Sequence, residues 1–200
     1  MQYASRLSFL VLAACLVAPA VSRADATTFQ VGSDGKSSAT FVSDAPLETM
    51  IGKTKKVSGS LSVDPSDIST AKGKFKSPVK SFRTGSDLRD EHLQGDGWLD
   101  AEKNPFVHFE ISEVVFGKKS NTALKEGKKA NVEVKGKFTA HGITKPVIAK
   151  GTVNWSGDSI RIKASFPVDL TEHNISVPSI VRLKVANEIQ VSVDLLGSKR

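Results

Sequence analysis

From residue 36 onward the chain alternates with a period of two, and this constrains its fold more than any other feature. Val57, Gly59, Leu61 and Val63 alternate with serines, and Ala71, Gly73, Phe75, Ser77 and Val79 alternate with Lys72, Lys74, Lys76 and Lys80. The same rhythm runs through Val107, Phe109 and Ile111, then Val132, Val134, Gly136, Phe138 and Ala140. It continues through Val147 to Trp155, Ile160 to Val168, and Ile189 to Leu195. Successive side chains of a strand point to opposite faces, so each segment reads as a half-buried strand with an apolar inside and a charged outside. With Ser38 to Ser43 included there are about eight strands. Consecutive antiparallel strands that all need one face covered predict an all-β barrel or sandwich.

The strands are long, about ten residues or ~33 Å each at ~3.3 Å per residue. Their inner phase mixes phenylalanine with Gly73, Gly136, Ala149, Gly151 and Ala164, a pattern that bends a sheet and leaves space along its axis. Eight strands enclose room for one small ligand. His141-Gly142 and Ser156-Gly157-Asp158 mark turns. The period breaks at Ser86 to Gly95, where a capping serine, early acids and a closing glycine predict a short helix across one end. Asp100 to Pro105 reads as one further turn, and Gly117 to Lys129 as a basic polar loop.

Composition bears on function mostly by exclusion. The only cysteine is Cys15, so neither a disulfide framework nor a cysteine zinc site is available. The formal net charge of +7 is spread over alternating lysines with no interleaved aromatic residues, which fits solubility and not nucleic-acid binding. Gly35-Lys36-Ser37 lacks the earlier glycine of a phosphate-binding loop, because Gln30 stands there. His92, His108, His141 and His173 are scattered singly and read as surface or turn residues; neither a metal ion nor a cofactor is expected. Asp90 and His92 are candidates for an acid and base pair, but two positions apart on a helix they do not face each other. Arg89 and Asp90 are therefore expected to anchor the helix to the rim by hydrogen bonds.

Residues 1 to 26 read as a secretory leader: Arg6, an apolar run from Leu7 to Val21, and Ala24-Asp25-Ala26 as the small-residue cleavage pattern. The domain then spans 27 to 200, and the mature chain is expected in the periplasm. Leu12-Ala13-Ala14-Cys15 offers a second reading as a lipoprotein anchored at Cys15.

Ser81-Phe82-Arg83-Thr84-Gly85, Arg89-Asp90-Glu91-His92-Leu93, Trp98 to Pro105 with Val107-His108-Phe109, and Gly136 to Val147 closely resemble the YceI-like family over most of residues 36 to 196. The resemblance implies an extended, antiparallel, eight-stranded lipocalin-like barrel that is exported and holds a long apolar chain, a polyisoprenoid or similar lipid. It implies a binding protein and no catalytic residues. Two positions depart from the family pattern: Lys36-Ser37 stands where a His-Ser pair is usual, and His173-Asn174 where a Phe-Gly pair is usual.

The expected lining is Phe75, Val79, Phe109, Ile111, Val134, Phe138, Val153, Phe166 and Val168, with Phe82, Leu93, Trp98 and Leu99 guarding one end. Phe75, Phe109, Phe138 and Phe166 should all point inward, and Lys72, Lys74, Lys76 and Lys137 outward. The alternatives are a lipid-modifying enzyme using Asp90 and His92, or a structural envelope stress protein with a solid core. Transient contact with a membrane and a homodimer are left open as partner modes.

Overall fold

The computed structural model describes residues 26–32, 34–115 and 122–200. Apart from Ala26, the expected leader lies outside the described residues, as do 117–121 of the basic loop. The strands are β1 (Thr27–Val31), β2 (Ser38–Asp44), β3 (Thr49–Thr54), β4 (Ser58–Asp64), β5 (Asp67–Pro78), β6 (Phe106–Val115), β7 (Lys129–Ala140), β8 (Ile143–Ser156), β9 (Ser159–Asp169) and β10 (Glu188–Lys199). The sheet runs β1-β4-β5-β6-β7-β8-β9-β10 and closes through β1 and β10 into an eight-stranded antiparallel barrel.

The two additional strands prolong staves already in the ring. β10 gives its Gly197–Lys199 end to β1 and its Gln190–Asp194 segment to β2 along one edge, so β1 and β2 form a single interrupted stave. β3 pairs with β2 and β4 with β1, which makes β3 and β4 the next interrupted stave. Each interruption leaves strand groups without ladder partners, and buried hydroxyls take over. Ser37 Oγ, 1% exposed, accepts the Leu196 N–H at 3.0 Å between the two pairings of β10. At the second break Thr54 Oγ1 accepts the Lys56 N–H at 2.9 Å and bonds Ser81 Oγ at 2.7 Å. Lys53 and Arg83 exchange two backbone hydrogen bonds at 2.9 Å, tying β3 to the segment after β5.

The two ends of the barrel differ. At one end lie the turns β4–β5 and β8–β9 and the segment 122–128. There Phe29, Leu61, Val63, Ile160 and Leu195, each at most 4% exposed, fill the interior. At the other end lie the β2–β3 hairpin, the β7–β8 turn and two excursions. His141 and Gly142 both have positive φ, 49° and 73°, the geometry of the tight hairpin turn expected there. The first excursion carries α1 (Asp87–Gln94), capped by Ser86, whose Oγ accepts the Arg89 N–H at 3.5 Å, and closed by Gly95. The next turn follows as expected, with the Asn104 N–H donating to the Asp100 carbonyl at 2.7 Å. The second excursion, 170–187, holds two 3₁₀ turns, Thr171–His173 and Ser179–Val181, where the sequence carries no period.

Candidate ligand-binding site

A cavity of about 430 Å³ occupies the half of the barrel nearer the excursions. Phe109, Ile111, Val134, Ile162, Val191 and Val193 sit on the inner phase of their strands, yet each keeps part of its surface uncovered. An inward side chain that remains uncovered is facing a hole, and its atoms there lack the dispersion partners of a packed core.

The hole persists because the aromatic rings lie along the wall. Phe41 covers Gly52, Phe75 covers Gly59 and Phe109 covers Gly136; a Cβ at those glycines would come within 2.1, 2.7 and 2.4 Å of the ring. Ala140, Ala149 and Ala164 add little volume to the same lining. Phe166 joins the rings into a cluster, 5.4 Å from Phe109 and 5.3 Å from Phe138 between centroids. Phe82 contacts Phe41 at 5.9 Å.

Phe75, Phe82, Leu93, Trp98, Leu99, Phe109, Ile111, Val134, Phe138, Phe166 and Val168 all line this cavity. Lys72, Lys74, Lys76 and Lys137 are exposed on the outer face, Lys74 pairing with Glu110 at 3.1 Å and Lys76 lying 4.6 Å above the Phe106 ring. Two expected lining residues do not reach the cavity. Val79 follows the end of β5 and opens a 3₁₀ turn, so the alternation no longer sets its direction, and it is 1% exposed in the wall. Val153 has the inner phase but sits at the filled end, 6% exposed among packed side chains.

The polar groups gather at the opening. Asp90 is 6% exposed and accepts the Thr84 N–H and hydroxyl, both at 2.7 Å, with Arg83 Nε at 3.7 Å. Arg89 pairs with Glu48 at the tip of the β2–β3 hairpin and donates through Nη2 to the Thr84 carbonyl at 3.3 Å. The two residues thus clamp α1 onto the rim, as expected. Asp90 is committed to Thr84 while His92 is exposed at the opening, so the acid and base pair is not assembled. The Arg89 Nε, buried, meets no hydrogen-bond acceptor among the described residues.

His173 lies in a turn, one of its two expected places, but is buried there and not at the surface. It is 1% exposed, its Nδ1 lies 3.0 Å from the Ile143 carbonyl, and its ring stands edge-on to Phe138 at 5.6 Å. The left-handed Asn174, φ 55°, turns the chain there. Hydrogen bonds from the Thr171 hydroxyl at 2.6 Å and N–H at 2.8 Å hold the Asp169 carboxyl below the usual carboxylate range and cap the turn that carries His173. Met50, Ile162, Ile189, Val191 and Val193 also line the cavity; the last four fall on the apolar phase of strands the alternation marks, whereas Met50 lies on β3, which that alternation does not include. Glu48, Val181, Lys184 and Val185 came from segments with no pattern to read.

Comparison with known proteins bears on this geometry. A family model described as a YceI-like domain matches residues 30–196. A UPF0312 protein of Vibrio cholerae is 29% identical over 132 residues, which cover 63% of this chain and 65% of that one, just under two thirds of the relative's length. The crystal structure of BcnA from Burkholderia cenocepacia superposes with a TM-score of 0.70 at 23% identity, covering 83% of this chain and 98% of that one. A polyisoprenoid binding domain from Saccharophagus degradans, implicated in plant cell wall breakdown, gives 0.66 at 13% identity, covering 88% and 99%. At these identities the structural likeness carries the fold.

Proposed function

The chain belongs to the YceI-like family, and on that premise we propose that it is an exported carrier that holds a long apolar, isoprenoid-like lipid inside its barrel. The observation that carries this reading is the cavity lined by partly uncovered inner-phase residues in the half of the barrel away from the filled end. A hydrocarbon chain placed there covers apolar surface worth ~25 cal/mol per Å². The polyisoprenoid binding domain of Saccharophagus degradans, which shares the fold, supports the choice of ligand class. Because Phe29, Leu61 and Ile160 plug the far end, the chain enters tail first, and its polar end remains among Glu48, Arg89, His92 and Lys184.

Export is supported by where the barrel begins. Thr27, the first residue after the expected cleavage, already pairs with Val63, so cleavage after Ala26 leaves every strand intact. N-terminal sequencing of the secreted protein should start at Thr27 or Asp25; a mature chain beginning at a lipid-modified Cys15 contradicts a free periplasmic carrier.

The ligand is tested by mass spectrometry of organic extracts from protein purified without detergent. A recurrent lipid at one per chain is the expected result. Protein that yields no lipid and takes up no added long-chain prenol overturns the carrier reading, and turnover of the bound lipid replaces it with an enzyme.

A further inference from the structure

Six large apolar side chains of the described residues are strongly exposed, and all but Ile148, within the wall strand β8, lie at or beside the mouth. Ile180 at 90%, Leu47 at 69%, Leu88 at 61% and Leu183 at 57% sit on the elements that frame the mouth, and Ile51, at 52%, is on β3 just below. The elements are joined there: the Leu47 N–H donates to the Leu183 carbonyl at 2.8 Å, and Glu48 pairs with Arg89, next to Leu88.

The segment 179–185 is apolar on two faces. Val185 donates its N–H to the Val181 carbonyl at 2.9 Å, and Lys184 donates to the same oxygen at 2.8 Å, so the 3₁₀ turn continues as a helical turn. Val181 and Val185, four apart, line the cavity. Ile180 and Leu183, three apart, share the other side and meet solvent. Within this segment the only charges are Arg182 and Lys184, both exposed and in no ion pair with a described residue. The acids of this end, among them Glu48 paired with Arg89, Asp87, Asp90 and Glu91 of α1, and Glu172, belong to other turns.

We propose that the mouth is a membrane-docking surface for an anionic phospholipid bilayer: Leu47, Ile180 and Leu183 enter the interface while Arg182 and Lys184 meet lipid phosphates. A turn apolar on both sides is covered on both when the cavity holds lipid and the mouth rests on a bilayer. The chemistry is that of an interfacial anchor, apolar side chains flanked by cations. The proposal rests on the lipid-carrier reading, because a cargo that cannot cross water has to move where the opening meets hydrocarbon.

The test is flotation of the purified protein with vesicles of phosphatidylcholine alone and of phosphatidylcholine mixed with phosphatidylglycerol. The expected result is binding to the mixed vesicles that weakens with salt. The Ile180→Asp/Leu183→Asp double variant should bind roughly tenfold or more weakly, and Arg182→Glu/Lys184→Glu likewise, as two surface cations are worth about a tenfold or larger change. Leu47→Asp, on the other element of the patch, guards against a local folding defect in 179–185, and the Leu47→Asp and Ile180→Asp/Leu183→Asp variants, whose residues lie outside the cavity lining, should keep their lipid extract and melting temperature. Wild-type protein that does not float overturns the proposal, as do variants that float as well as wild type. A dimer split by Ile180→Asp/Leu183→Asp without any vesicle binding also overturns it, since the patch then covers a second copy. Loss of flotation with lipid still in the extract leaves the carrier standing, whereas flotation without extractable lipid leaves docking standing and removes the carrier.

Discussion

The filled end and the open end of this barrel share strands, alternation and outward lysines, yet one interior is packed and the other hollow. The difference lies in two things that alternation does not encode. At the filled end the inward residues reach the axis, and the chain returns to plug it: Leu124, 8% exposed, is held by a 2.7 Å bond from its N–H to the Pro65 carbonyl. At the open end alanines and wall-hugging rings stop short of the axis, and the excursions frame the opening without filling it. Period two tells which way a side chain points; its length, and what the loops bring, tell whether the inside is core or pocket.

The contrast is broken most severely by truncating one ring at each end. Phe29, fully buried, should cost about 3–5 kcal/mol as Phe29→Ala. Phe109→Ala should cost about half that or less, because part of its ring surface is already uncovered. Urea unfolding of the two variants, compared at constant slope, checks the difference. Equal losses would mean that the open end is as packed as the other.

The clamp that holds the mouth open is next. Asp90→Asn keeps the shape but weakens the hydrogen bonds from Thr84, and a loss of about 1–3 kcal/mol is expected in thermal melts. If stability is unchanged while an identified turnover activity disappears, Asp90 is catalytic and its structural role is wrong.

The outer wall supplies the control with the smallest effect. The Arg161 guanidinium beside Asp194, with bonds of 2.8 Å from Nε and Nη2 and Lys163 nearby, holds the Asp194 carboxyl below its ordinary range. A depressed carboxylate stabilises the fold above the unfolded group's titration near pH 4, and that contribution is lost as the pH falls through the lower, folded value. Asp194→Asn should therefore cost at most about 1 kcal/mol at neutral pH, with the gap to wild type closing in acid. A gap that widens as the pH falls would contradict this account.

These contrasts mark what could be read from the residues alone. The strands β2 and β4 to β10, the inward phenylalanines, the outward lysines and the capped helix were legible because each follows from local periodicity or capping chemistry. The two interrupted staves were not, because Thr27–Val31 and Thr49–Thr54 were not read as strands, and only pairing along β10 shows β1 and β2 to be collinear. Val79 was misplaced by carrying the alternation one residue beyond Pro78, and Val153 because the phase is silent about depth along the barrel. His173 became buried through contacts with Phe138 and the Ile143 carbonyl, distant in sequence and unmarked by any motif. The cavity rim from 170 to 187 has no period, so its part in the site became visible only in three dimensions.

The central claim is that the open half is hollow in order to hold a ligand, and one matched substitution tests it most directly. Val63 and Val134 are both inward valines, one 2% exposed in the filled end and the other lining the cavity. Val→Phe adds the same volume at each, and in protein stripped of lipid the stabilities should diverge. Val63→Phe should lose about 1–3 kcal/mol by overpacking, while Val134→Phe should unfold at nearly the wild-type denaturant midpoint and retain less lipid when reloaded. A Val134→Phe variant destabilised as much as Val63→Phe in the stripped protein would show a solid interior and contradict the carrier.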